Sequence, residues 1–351
     1  MVIGIANNLM SPYGRGSGAE VIAEKMAVEY RIAGHEVFII STKPKNEQLP
    51  DSNDHYYLPS SFSKLSQWST LHKLCWHLSQ LLLPWHRQKL NKILSTRKPD
   101  LFITHNLIGL GFYLPKMLHQ RHIRHEHILH DIQLLHPSGL MYWGQENIIT
   151  SPLAKIYQRL TRQALAHAAQ IISPSQWLLE LHQKHHFFKK QACTVKLNFA
   201  LQKQSPKTIG NPAHFIFTGQ LEKHKGLEIL LEAWKEAGLS ATEAKLSIAG
   251  GGSMINYVQA QTKVQNNLEY VGFLDRQGIE QLLLKADVII LPSLVYENSP
   301  TSLWEAAAHG LRAIASNIGG IPELKPFLEL ELFPPGNISA LAVSIKQSLR
   351  L

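Results

Sequence analysis

Short apolar runs recur along the chain, and many end in a glycine, a histidine or a small polar residue. Between them lie longer stretches whose apolar positions fall three and four residues apart. Strands are expected at 2–7 (VIGIAN), 37–41 (VFIIS), 101–105 (LFITH), 127–132 (HILHDI), 170–173 (QIIS) and 195–199 (VKLNF). A second series follows at 214–219 (HFIFTG), 246–249 (LSIA), 268–273 (LEYVGF), 288–292 (VIILP) and 313–316 (AIAS). Runs this short and this apolar, alternating with helical periodicity, predict parallel strands covered by helices on both faces. The stretch LQKQSPKTIGNPAH between the two series is polar and carries two prolines and a glycine, as a linker does. The expected organisation is α/β: a doubly wound, Rossmann-like domain over 1–200, a linker over 201–213 and a second such domain over 214–351. No short internal repeat or low-complexity tract is present.

Composition narrows the class. A chain of 351 residues is too long for one typical core and suits two domains. Cys75 and Cys193 are far apart and make no disulfide framework, which fits a reducing compartment. The opening MVIGIANN lacks a basic leader and reads as a first strand rather than a signal peptide. No apolar run reaches the roughly 18 residues of a spanning helix. A cytoplasmic location is expected. The formal charge of +9 points to an acidic partner surface, either anionic lipid, nucleic acid or an anionic glycan.

Candidate chemistry concentrates in ADVIILPSLVYENSPTSLWEAAAHGLRAIASNIGGIPE, from Ala286 to Glu323. A buried-type strand leads into a polar loop with Glu297, and a helix starting near Pro300 or Thr301 carries Glu305. Both carboxylates can face the space above the strand's carboxyl end, where ligands bind in open α/β sheets. Asn298, Ser299, Pro300, Thr301 and Ser302 would set backbone N–H groups at the helix amino end, a ready anion site. Carboxylates for sugar hydroxyls beside N–H groups for phosphate are the parts of a nucleotide-sugar site. The bland alternative is an ordinary βα unit with two solvated glutamates.

The order strand, Glu, Ser-Pro, helix, Glu-Ala, His-Gly, strand and Gly-Gly resembles the donor site of retaining glycosyltransferases of family 4. Those enzymes have the GT-B architecture, two Rossmann-like domains facing across a cleft. The resemblance spans nearly the whole chain and is strongest over 214–323. It implies a second phosphate element at FTGQLEKHKGLEILLEAW, where Gly219 ends a strand, Lys225 meets the diphosphate and Gln220 stands where an Arg is usual. A solvated lysine at a helix start is the alternative for Lys225. AGGGS, with Gly250 and Gly252, resembles the turn lining the nucleotide pocket, although glycines there can simply make the turn. YVGFL resembles the segment beside the base. In the first domain, SPYGRGSGAE resembles the family's glycine-rich loop, which assigns Gly16 and Gly18 to the donor. As a dinucleotide fingerprint this loop fails, because its glycine spacing is wrong and the second strand does not end in an acid; an NAD enzyme is not expected.

The resemblance further places His130 at the transferring sugar, with Glu297 as its partner in catalysis, and His105 at a neighbouring strand end. Six histidines lie between His119 and His136, a density that suits a metal, but the resemblance implies no divalent ion and no other cofactor. Ser173, Ser175 and Asn198 match family landmarks and read as turn or cap residues. The family often continues into a helix crossing back to the first domain, and that helix is expected to be missing here.

The segment 55–99 has no Asp or Glu. Trp68, Leu71, Cys75, Leu78, Leu82 and Trp85 fall three and four apart along it, an apolar helical stripe beside Lys64, Lys73, Arg87, Lys89, Lys92, Arg97 and Lys98. A helix pair packed on the first sheet and an amphipathic surface resting on anionic lipid both fit. The resulting expectation is a retaining hexosyltransferase that takes a nucleotide diphosphate sugar, UDP-linked before GDP-linked. Its acceptor is a glycan or lipid-linked glycan of cell-surface polysaccharide or lipopolysaccharide synthesis, at the inner face of the cytoplasmic membrane. No nucleic acid partner is expected. A nucleotide-sugar epimerase of the same architecture and a non-catalytic binding subunit are the alternatives.

Overall fold

The computed structural model describes residues 1–14, 18–197 and 204–349. The chain forms two compact units, Met1–Leu140 with Asn147–Asn198, and Met141–Glu146 with Phe199–Leu351. The first unit runs β1 (Val2–Ala6), α1 (Gly18–Ile32), β2 (Glu36–Pro44), β3 (His55–Ser60), α2 (Thr70–Leu82), α3 (Arg87–Arg97), β4 (Leu101–Thr104), α4 (Leu114–Gln120), β5 (Arg124–Ile128), α5 (Pro152–Ala164), β6 (Gln170–Ser173), α6 (Gln176–Lys184) and β7 (Ala192–Val195). Its strands lie in the order β3-β2-β1-β4-β5-β6-β7, all paired in parallel.

The second unit runs β8 (Ala213–Thr218), α7 (Leu227–Ala237), β9 (Ala244–Ala249), α8 (Ile255–Thr262), β10 (Leu268–Gly272), α9 (Arg276–Lys285), β11 (Val288–Leu291), α10 (Thr301–Ala308), β12 (Arg312–Ser316), β13 (Leu330–Phe333) and α11 (Ile338–Ser348). Its sheet order is β10-β9-β8-β11-β12-β13, again parallel. Both units are therefore doubly wound Rossmann-like sheets, as the apolar runs predict. In each, the strand order reverses beside the unit's first strand, between β1 and β4 and between β8 and β11. Such switch points open a crevice at the strands' carboxyl ends.

The central strands are apolar because both faces are covered. All six residues of β8 and all four of β11 are buried. The face of α7 predicted from its spacing is the buried one: Leu227, Leu230, Leu231 and Trp234 all lie in the second core. Trp234 packs edge-on to Phe215 at 5.3 Å and donates from Nε1 to Asn267 Oδ1 at 3.1 Å, which satisfies its one polar atom.

Four expectations are corrected. The strand expected at 127–132 is β5, three residues earlier, and it ends at Ile128, before His130. Its sequence RHEHI carries little apolar signal, yet His125, Glu126 and His127 are buried. Thr104 Oγ1 binds both His125 Nε2 at 2.7 Å and His127 Nδ1 at 2.8 Å. Burial pushes the two imidazoles down, His125 to about 4, so they enter the sheet as neutral rings. The strand expected at 195–199 is β7, ending at Val195; the LNFA landmark from Asn198 onward lies outside the described residues.

Edge strands β3 and β13 were not expected, since an edge strand is half-solvated and its composition mixed; Pro59 sits on such an edge. Finally, His55–Ser60 is strand, and the helical stripe is confined to α2, so Trp68 and Trp85 flank the helix. Gln80 is the buried residue of α2, while Leu71, Leu74, Cys75 and Leu82 are exposed. The stripe is therefore no core face of the first unit.

Candidate functional site

The loops at the second unit's switch point bring Lys225 and Glu297 together. The loop after β8 makes a short 3-10 turn, Lys223–Lys225, and the loop after β11 carries Ser293 and Glu297. The two loops are tied by the backbone, with Leu294 N–H donating to His224 O at 2.9 Å. Gly226 makes this approach possible. It holds φ +74°, and a Cβ there would stand 1.9 Å from Pro292 O. A glycine is required for the turn bearing Lys225 to lie against the end of β11.

Lys225 Nζ donates to Glu297 Oε1 at 2.6 Å, and Ser293 Oγ donates to the same oxygen at 2.8 Å. The side chains are 21% and 14% exposed, so the pair is largely withdrawn from water. Burial alone would raise the Glu297 carboxyl. The Lys225 charge and hydrogen bond, with Ser293 and His224, hold it below the ordinary carboxylate value. Glu297 is thus an ionised, oriented carboxylate. Its backbone oxygen accepts from Gly320 N–H at 2.8 Å, and a Cβ on Gly319, at φ +62°, would meet that oxygen at 2.0 Å. The Gly-Gly pair is needed to brace the Glu297 loop.

Helix α10 begins one residue after Pro300, so Asn298 to Ser302 do lie at its amino end. Asn298 is buried, and Ser299 Oγ accepts from Trp304 Nε1 at 2.7 Å, locking the turn to the helix's buried face. Glu305 is half-buried on α10. Burial is the largest influence on its carboxyl and raises it, opposed by His309 and Arg276 and reinforced by Glu280. The two glutamates therefore differ: Glu297 is compensated by a cation in place, and Glu305 is under-compensated.

Gly219 and Gln220 are exposed at the carboxyl end of β8. The glycines of the AGGGS turn are filled in by protein. A Cβ on Gly250 would stand 1.8 Å from Gly219 O, and one on Gly252 2.4 Å from Leu221 O. The neighbouring loop is enough to require glycine at both positions. Phe273, just past β10, is 78% exposed and stands at the same sheet end. It belongs to the YVGFL segment expected beside the base, whereas the Ser293 hydroxyl and His224, at the same sheet end, were not singled out in the sequence. A cavity of about 620 Å³ lined by Lys207, Ile209, Asn211, Glu243, Arg312 and Leu349 contains none of these residues.

In the first unit, Gly18 opens α1 and Gly16 lies outside the described residues. His130 follows β5, and its Nε2 binds His105 Nδ1 at 2.7 Å with the rings stacked at 5.0 Å. His105 follows β4, so the pair sits beside that unit's switch point. Burial pushes His130 down to about 4 and His105 well below its ordinary value, so both are neutral near pH 7. His105 Nε2 is buried without a hydrogen-bond partner among the described residues. Asp131 accepts from Gln133 N–H at 2.6 Å, and burial raises its carboxyl to about 6. Among the described residues no group of His, Cys, Asp and Glu forms a metal cluster.

Comparison with known proteins places the chain in a family and agrees with the fold. The family described as Glycosyltransferase Family 4 matches residues 16–198, and that described as Glycosyl transferases group 1 matches 212–350. An uncharacterized 42.6 kDa protein in the cps region of Klebsiella pneumoniae is 26% identical, over 93% of this chain and 88% of its own. The amylovoran biosynthesis glycosyltransferase AmsK of Erwinia amylovora is 30% identical over 37% of this chain and 34% of its own. Among solved structures, a sucrose-phosphate synthase from Thermosynechococcus elongatus aligns with a TM-score of 0.71 at 17% identity, over 99% of this chain and 90% of that one. HepE of Anabaena in complex with UDP aligns at 0.68 and 18% identity over the same shares.

Proposed function

The chain belongs to glycosyltransferase family 4, and from that membership we propose that its second unit binds a nucleotide diphosphate sugar, a UDP-sugar before a GDP-sugar, for retaining transfer. The observation that carries this reading is the half-buried Lys225–Glu297 pair at the switch point of the second sheet. Lys225 supplies a point charge for the diphosphate, and the amino end of α10 adds backbone donors. Glu305 accepts from ribose hydroxyls, which would stabilise the charge that burial now penalises. HepE, of like fold, was solved with UDP and with UDP-glucose, which supports the choice of base.

In the proposed transfer an acceptor hydroxyl attacks the anomeric carbon on the face the diphosphate leaves. The bond from that carbon to the diphosphate oxygen breaks, and the hydroxyl proton passes to the departing diphosphate. Glu297 and His130 are assigned to the transferring sugar. A neutral imidazole as weakly basic as His130 serves as a hydrogen-bonding group rather than a strong base. The acceptor is proposed to be a glycan or lipid-linked glycan of surface polysaccharide synthesis, a reading supported by the cps-region and amylovoran relatives. No metal is assigned a step, so EDTA should leave turnover intact.

A panel of UDP- and GDP-sugars in a thermal-shift assay should pick one donor, and NMR of the product should show the anomeric configuration of that donor kept. An inverted product would overturn retention. A donor hydrolysed or epimerised with nothing transferred would overturn the transferase assignment of substrate and acceptor.

A further inference from the structure

Two helices of the first unit leave large aliphatic side chains in solvent and carry no acid. On α2 these are Leu71, 67% exposed, with Leu74 and Leu82. On α5 they are Leu153, 66% exposed, and Ile156, one turn apart. The helices lie against each other. Neither sequence, TLHKLCWHLSQLL or PLAKIYQRLTRQA, contains an Asp or Glu. Lys155 and Arg159 are exposed on α5, Arg159 one turn on from Ile156, whereas Lys73 is half-buried on the side of α2 away from Leu71. The neighbouring α3 is also free of acids. Its Lys89 and Arg97 are tied to Asp51 and Glu36, whereas Lys92 is exposed.

We propose that α2 and α5 together form a docking surface for an anionic lipid bilayer. Exposed leucines on a helix with few buried residues have no partner in the unit's own core. Inserted among acyl chains, they would be withdrawn from water while the lysines and arginine meet lipid phosphates. Charge selects this occupant. A second copy of the chain would bring the same acid-free basic surface against itself, and like charges oppose such a face-to-face contact. A neutral bilayer would leave the cations without counter-charge. The proposal extends the glycosyltransferase reading and does not depend on the donor site.

Full-length protein should co-sediment with phosphatidylcholine vesicles containing phosphatidylglycerol, not with phosphatidylcholine alone, and raised salt should release it. Leu71→Asp with Leu74→Asp on α2, and separately Leu153→Asp with Ile156→Asp on α5, should each weaken vesicle binding at least tenfold. Melting temperature and nucleotide binding without vesicles should stay unchanged. Lys155→Gln with Arg159→Gln, which leaves the aliphatics intact, should also weaken binding at least about tenfold, given the worth of each cation near an anionic surface. Binding absent from both vesicle types, equal for both, or weakened by only one of the two pairs of aliphatic substitutions overturns the composite surface. So does self-association in solution that the same substitutions abolish.

Discussion

At the residue scale, the two glutamates of the motif are set apart by their surroundings. Glu297 is paired in place; Glu305 has its carboxyl raised by burial. An acid raised on folding holds its proton more tightly in the folded state. Its contribution to stability is full below the unfolded carboxylate value and is lost as pH rises through the folded one. At neutral pH ionised Glu305 is therefore a cost in the unliganded protein. Glu305→Gln should raise the melting temperature at pH 7, with the gain vanishing below the ordinary carboxylate range. The same change replaces a charged acceptor by a neutral one and should weaken nucleotide binding by about 1 kcal/mol, or about fivefold. Melting curves against pH and calorimetric titration check the two halves. Glu297→Gln and His130→Ala should behave otherwise, lowering kcat at least tenfold while nucleotide affinity changes less than threefold, the sign of groups acting on the reacting sugar. Equal losses in affinity and turnover would assign both residues to binding alone.

At the element scale, the site depends on how loops close over strand ends. The turn after β8 reaches the end of β11 because Gly226 has no side chain to strike Pro292 O. Gly226→Ala adds both a clash with backbone and an unfavourable φ, so a loss of roughly 2 kcal/mol or more is expected. Denaturant melts should show that loss, and nucleotide affinity should fall with it as Lys225 is displaced; a neutral melt would show that the turn can relax. The central strands of both sheets were legible because burial on two faces makes them apolar throughout. Strand β5 was legible only in part. Its RHEHI looks polar, and nothing local says that Thr104 will pair two neutral histidines. The edge strands β3 and β13 hid for a different reason, their half-solvated faces. The α2 stripe had the period of a core helix, and whether such a stripe meets core or solvent is decided by partners that periodicity does not name.

At the scale of the whole molecule, two alternating series made the two doubly wound sheets readable from sequence. The strand order then places Lys225 and Glu297 on either side of one reversal, a relation between residues 72 positions apart that spacing alone does not state. Ser293 and His224 were missed because hydroxyls and imidazoles are common in loops, and only the fold brings these to one sheet end. The segment Met141–Glu146 joins the second unit through a bridge between Tyr142 and Val295 and a hydrogen bond from Tyr296 to Glu146 at 2.6 Å. Such long-range pairing leaves no local period. In the proposed function this second unit holds a nucleotide diphosphate with Lys225 against its phosphates. Calorimetric titration of UDP and GDP into the wild-type chain and Lys225→Ala tests it most directly. Saturable binding of at least one of them to wild type is expected, with an affinity at least tenfold weaker in the variant and circular dichroism unchanged. Equal affinity in the two proteins, or no binding of either nucleotide to wild type, would contradict it.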